Sequence, residues 1–175
     1  MVAGLVLAAG ASTRFGSVKQ RLLLDPVLER ARASSIADWI VVLGAHEVGT
    51  AAAVVRCPDW EQGPGASLRC GLAALPGTAE AAVVLLADGP DLSPAAIDRV
   101  VESWRDEGGN VVAASYAGVR GHPVLIARAA WDTVPDEGAR ALEPRLVPCD
   151  DLGFPGDVDV AADLPGRFRS AVGER

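Results

Sequence analysis

The chain has 175 residues, half of them hydrophobic, which suffices for one domain with a substantial core and is too little for two ordinary ones. A formal net charge of −7 leaves no basic footprint for a nucleic acid polymer, so any polyanion must be held locally by placed cations, backbone amides or a metal. The chain opens on an apolar run without a basic leader, nothing approaches bilayer-spanning length, and Cys57, Cys70 and Cys149 lack CxxC spacing; a cytoplasmic protein with free thiols and no membrane partner is expected.

The first predicted strand is Val2–Leu7, followed by a glycine-bearing loop and a helix over Pro26–Ser34. Strands are then predicted at Trp39–Leu43 and Ala53–Arg56. Ser67–Leu75 reads as a short helix, with Ser67 as its cap, Leu68, Leu72 and Leu75 on one face, and Gly71 marking a close approach to a neighbour. The most apolar strand, Ala81–Ala87, precedes the clearest helix, Ser93–Glu107. There Ser93 suits the N-cap, Pro94 the first helical position and Gly108-Gly109 the stop, while Ile97, Val100, Val101 and Trp104 form one stripe. Asn110–Ser115, His122–Ile126 and Leu146–Cys149 complete the strands. Because these runs are continuous rather than alternating, they fit strands covered on both faces. The expected fold is a Rossmann-like three-layer α/β domain with a mostly parallel central sheet, its ligand at the carboxyl ends of the strands.

Chemistry concentrates in the first loop, Leu7-Ala8-Ala9-Gly10-Ala11-Ser12-Thr13-Arg14-Phe15-Gly16-Ser17-Val18-Lys19. It is neither Walker A nor G-x-G-x-x-G. Its small residues still let backbone N–H groups approach a phosphate, and Arg14 and Lys19 add positive charge. Lys19 is the only lysine in a chain that otherwise uses arginine, as a point-charge phosphate contact would explain. A polar turn with incidental cations is the plain structural alternative. Asp88 ends the most apolar strand, and His46-Glu47 has no second histidine at helical spacing and receives no role.

The pattern Leu7-Ala8-Ala9-Gly10-x-Ser12-x-Arg14-Phe15-Gly16-x-x-Lys19 resembles the signature of MobA-like nucleotidyltransferases, particularly the molybdenum cofactor cytidylyltransferases. The resemblance implies a nucleotide-diphospho-sugar transferase type of fold over residues 1–175, with Leu7, Ala8, Ala9, Gly10, Arg14 and Lys19 around a triphosphate. It places Gly63 and Ser67, within Trp60–Leu72, near the nucleotide. It makes Asp88 of Asp88-Gly89-Pro90 a Mg²⁺ ligand, with Gly89 where a larger residue is commoner. Arg120-Gly121-His122-Pro123 resembles the cytidylyltransferase acceptor motif. Asp136–Arg140 resembles that subgroup's second acceptor loop, so Arg120, His122 and Arg140 are implied at the acceptor. Asp157-Val158-Asp159-Val160-Ala161-Ala162-Asp163 resembles the closing motif, making Asp159 the second metal ligand and Asp163 a cap on the last helix. Lys19, Arg14 and Asp88 are the implied catalytic groups.

The implied reaction is CMP transfer from CTP to the phosphate of molybdopterin, with Mg²⁺ as cofactor and a molybdoenzyme or its maturation chaperone as recipient. CTP is favoured because Ala9 stands where guanylyl enzymes have glycine, and because of the Gly121-His122-Pro123 run. GTP, another small phosphorylated acceptor, or a non-catalytic cofactor-binding chaperone are the alternatives. Relative to the family pattern the chain is compressed between Lys19 and Pro26, Glu47 and Val54, and Pro135 and Glu137. Mobile loops missing from the sequence would explain this, and an intact mass matching 18.0 kDa would instead mark true deletions.

Overall fold

In the computed structural model, which describes residues 1–15 and 17–169, seven strands form one sheet in the order β3-β2-β1-β4-β6-β5-β7. These are β1 (Val2–Ala8), β2 (Trp39–Leu43), β3 (Ala53–Arg56), β4 (Ala81–Leu86), β5 (Val111–Tyr116), β6 (Val119–Ala127) and β7 (Arg145–Pro148). All pairings are parallel except those of β6, which runs antiparallel to both β4 and β5. The helices are α1 (Gln20–Arg32), α2 (Pro64–Ala73), α3 (Pro94–Glu107) and the one-turn α4 (Gly166–Arg169).

Side-chain parity along the strands divides the core. Val6 and Ala8 of β1, with Val83 and Leu85 of β4, pack beneath α1 and α3 against Leu24, Leu28, Ile97 and Val100. Ala3 and Leu5, with Ala82 and Val84, face the other way, onto Leu68 and Leu72 of α2 and onto Ala130 and Val134. Both sheet faces are therefore covered, which is the physical reason the strand sequences are continuously apolar. Truncating a fully buried leucine here, such as Leu5 or Leu68, is expected to cost about 2–5 kcal/mol.

Three expectations need correction. The first helix starts at Gln20, with Pro26 inside it rather than at its start. Pro26 removes one backbone bond, but the stripe Leu23, Leu24, Val27, Leu28 and Ala31 is buried on both sides of it, and tertiary burial outweighs the local penalty. The second helix begins at Pro64 with Gly63 in the N-cap position, so Ser67 is an interior residue and caps nothing. Asp163 does not cap α4. Its carboxylate reaches back to the backbone N–H groups of Asp159 and Val160, at 3.1 and 3.0 Å.

Other local readings agree with the structure. Gly108 ends α3 with φ of 70°, in the left-handed region. A Cβ on Gly71 would lie 2.7 Å from Val42, so α2 seats against the sheet only because that position is bare. Ser93 occupies the N-cap of α3, although its hydroxyl makes no capping bond. Cys57 and Cys149 are buried and all three thiols are free. Burial, reinforced by the neighbouring Cys57, holds the Cys70 thiol well above its usual range, so it stays protonated. Among the described residues no helix is long and apolar enough to cross a membrane.

Candidate active site

From β1 the chain proceeds outward through β2 to β3, then returns to place β4 on β1's other side. The strand order reverses there, which opens a crevice at the carboxyl ends of β1 and β4. A cavity of about 430 Å³ occupies it, floored by Leu7–Ser12 from the first loop and by Leu86–Asp88 after β4. Gly63, Pro64 and Ser67 at the start of α2 form one wall, and Lys19 and Asp159 another.

The charged groups form a chain of contacts. Lys19 Nζ donates to Asp88 Oδ2 at 2.9 Å and to the Val158 carbonyl at 2.7 Å, and lies 3.9 Å from Asp159 Oδ1. Arg14 grips the two oxygens of Asp159 at 2.8 and 3.1 Å. The N–H of Val158 returns to the Asp88 carbonyl at 3.1 Å, tying the closing segment to the end of β4. Residues 69 and 139 positions away in sequence thus meet around one ammonium.

A second cavity, of about 160 Å³, lies beside the first and is lined by Arg120, His122, Phe154 and Asp157. Leu86 and Asp88 border both cavities, so the Asp88 carboxylate stands on the wall between them. His122 Nδ1 contacts the Val84 carbonyl at 3.2 Å. Burial outweighs that hydrogen bond and holds the imidazole below its ordinary pKa, which favours the neutral ring. Arg120 donates to the carbonyls of Ala139 and Leu142, each at 2.7 Å, and to that of Arg140 at 3.4 Å. Its guanidinium therefore braces the 138–142 segment, and burial lowers its pKa. Arg140 contributes its backbone carbonyl to this brace, while its side chain is exposed and lines neither cavity.

Sequence reasoning overlooked Asp157, which lines the second cavity and whose pKa is raised by burial and by the nearby charges of Asp88 and Asp159. Its signal was its position two residues before Asp159. Gln20 was also overlooked, and His46 was given no role, yet both bond to carbonyls of the first loop. Gly89 sits where a Cβ would meet the Pro155 carbonyl at 3.4 Å, so the closing segment passes close over this position.

The sequence matches the MobA-like NTP transferase domain over residues 4–144. The chain belongs to that family. Among solved structures, this MobA-like chain is similar to a homologue of Mycobacterium tuberculosis Rv0371c from Mycobacterium sp. strain JC1. Identity is 26%, the TM-score 0.78, and coverage 99% of this chain and 98% of that one. Rv0371c of M. tuberculosis H37Rv, solved in complex with manganese, shares 25% identity at a TM-score of 0.73, with 99% of each chain covered. A nucleotidyl transferase from Methanothermobacter, 18% identical at a TM-score of 0.73 over 100% of this chain and 99% of that one, shares the fold. No curated protein matches the sequence significantly. The MobA-like family marks the chain as a nucleotidyltransferase, and its fold is of the nucleotide-diphospho-sugar transferase type.

Proposed function

We propose that the chain transfers CMP from CTP to the phosphate of molybdopterin or a closely related acceptor, releasing pyrophosphate with the help of Mg²⁺. The observation that carries this reading is the position of Asp88, which contacts the loop cation Lys19 and forms the wall shared by the two cavities. One cavity then takes the triphosphate, the other the acceptor, and their reacting atoms meet beside Asp88.

Asp88 and Asp159 converge on Lys19 at 2.9 and 3.9 Å and would together hold the cation. Two carboxylates beside an open cavity suit Mg²⁺, which keeps water and substrate phosphate in its remaining positions. That Rv0371c was solved in complex with manganese supports a divalent ion as the cofactor. When bound, the ion supplies Lewis-acid neutralisation of phosphate charge.

The protein's own groups do the rest. The amides of the first loop bind the triphosphate, while Lys19 and Arg14 offset the charge that grows on the α-phosphate oxygens and on departing pyrophosphate. An oxygen of the acceptor phosphate forms the new bond to the α-phosphorus as the bond to the bridging pyrophosphate oxygen breaks. That phosphate is already ionised, so no strong general base is required, and catalysis rests on positioning and electrostatics. The neutral His122 beside Asp88 suits a contact to an uncharged polar part of the acceptor.

Ala9, buried at the cavity floor, and the Gly121-His122-Pro123 run support CTP over GTP. The test mixes full-length protein, Mg²⁺ and molybdenum cofactor with CTP, GTP, ATP and UTP separately and follows pyrophosphate. Release with CTP alone is expected. Release with GTP instead would keep the mechanism and reverse the base assignment. Silence with all four would favour another phosphorylated acceptor or a binding-only chaperone.

A further inference from the structure

Three successive peptide planes in the first loop are pinned from outside the loop. The Ala9 carbonyl accepts from the Ala45 N–H at 3.1 Å. The Gly10 carbonyl accepts from Gln20 Nε2 at 2.7 Å, and the Ala11 carbonyl from His46 Nε2 at 2.9 Å. Gln20 is only 3% exposed and uses both ends of its amide, since its Oε1 also accepts from Ser12 Oγ at 2.6 Å.

A trans peptide points its N–H opposite to its carbonyl. Turning the carbonyls of Ala9, Gly10 and Ala11 into the protein therefore turns the N–H groups of Gly10, Ala11 and Ser12 the other way. Those three residues line the large cavity, and among the described residues none of their amides has a protein acceptor. Without the pins, a plane could rotate and offer a carbonyl lone pair to an incoming phosphate, which would repel it. Glycine at position 10 makes such a rotation cheap.

We propose that Gln20, which itself borders the cavity, and His46 are positioning residues that convert this loop into a preorganised triple-amide anion site, acting through the Gly10 and Ala11 carbonyls. Because the site is set before the ligand arrives, the benefit falls on binding of the phosphate chain. The effect is independent of the base and of the acceptor, and it rests on the reading of this cavity as the triphosphate site. Gln20 does its work from the first turn of α1, directly after Lys19, so one helix end supplies both the ammonium and the clamp. His46 does so from the loop after β2, where Gly44 allows Ala9 and Trp60 to crowd together, a Cβ there lying 2.8 Å from the Ala9 carbonyl and 2.6 Å from Trp60.

The test titrates inorganic tripolyphosphate, then each of the four nucleoside triphosphates, into full-length wild type, Gln20→Met, His46→Phe and His46→Gln by calorimetry. Mn²⁺ alone is titrated in parallel by electron paramagnetic resonance, to report on the Asp88–Asp159 pair. Gln20→Met and His46→Phe are expected to weaken tripolyphosphate at least tenfold and to raise KM for the triphosphate more than they lower kcat. Mn²⁺ binding should stay within twofold, and His46→Gln, which restores a donor, should recover most of the loss. Anion binding within twofold of wild type in both Gln20→Met and His46→Phe would overturn the proposal. So would equal losses in His46→Phe and His46→Gln, or a parallel loss of Mn²⁺ binding in every variant, which would mark damage to the fold. Wild type that binds neither tripolyphosphate nor any triphosphate would remove the nucleotidyl reading itself, and the inference with it.

Discussion

The two cavities flanking Asp88 treat their cations in opposite ways. In the larger one, Lys19 and Arg14 are paired with the carboxylates of Asp88 and Asp159, which the proposed metal would claim, so in the proposed reaction both cations would change partners as the triphosphate enters. In the smaller one, Arg120 is spent on three backbone carbonyls and fixes a loop in place. A guanidinium in a motif is therefore not by itself a ligand for phosphate. What the neighbouring acceptor is, carboxylate or carbonyl, decides whether it is exchangeable.

The largest effect should come from breaking the exchangeable side. Asp88→Asn and Lys19→Ala are each expected to lower turnover by at least about 100-fold while leaving the thermal unfolding midpoint close to wild type. Pyrophosphate release and a melting curve on the same preparations check this, and near-wild-type rates would take that residue out of the mechanism. Next, Gly65→Ala should strike α2, a wall of the larger cavity. The new Cβ would lie 2.0 Å from the Pro135 carbonyl and would push α2 from the 135–138 segment. A loss of about 1–3 kcal/mol in denaturant unfolding is expected.

Arg120→Met sharpens the contrast further. It removes the donors to Ala139, Arg140 and Leu142, and about 1–3 kcal/mol of stability should go with them. KM for the acceptor should rise while KM for the triphosphate holds. A rise in the triphosphate KM instead would mean that Arg120 belongs to the exchangeable side after all.

The smallest effect is the pH response of His122. Its folded pKa lies below the unfolded value of about 6.5, so the unfolded state binds more protons as pH falls. The associated stability is complete above about 6.5 and is lost as pH drops from there toward the folded pKa, at no more than about 1.4 kcal/mol per pH unit. Chemical denaturation at pH 7.5 and 5.5 should show a steeper decline for wild type than for His122→Gln. Identical slopes would mean that the ring is not held neutral.

The central strands were legible because a sheet covered on both faces needs unbroken apolar runs, whereas the edge strands β3 and β7 are short and largely exposed and were marked only by local apolar residues. The turn joining β5 to β6 was not, because Ala117 takes a positive φ of 51° and alanine is no signal for that conformation. The hairpin consequently extends the strand carrying Arg120 back to Val119, and makes β6 antiparallel. In the site, Lys19, Arg14 and Asp88 could be singled out because charge at a strand end or in a glycine loop stands out against an apolar chain, whereas Asp159 was reached only through the resemblance of the closing segment to the family motif. Gln20 and His46 could not, since their partners are main-chain carbonyls of another segment, and side-chain spacing carries no record of those. Arg140 failed to reach either cavity for a related reason: the acceptor-like loop is present, but its side chain faces solvent.

Lys19 is the only lysine in the chain. Besides the α-amine at Met1, an amine-selective acylating reagent has a single target, seated in the crevice with its side chain 14% exposed. The protein thus carries its own reporter group. Slow acylation of the unliganded form, and a further change in rate when a triphosphate enters, can be read from intact mass without attaching any probe.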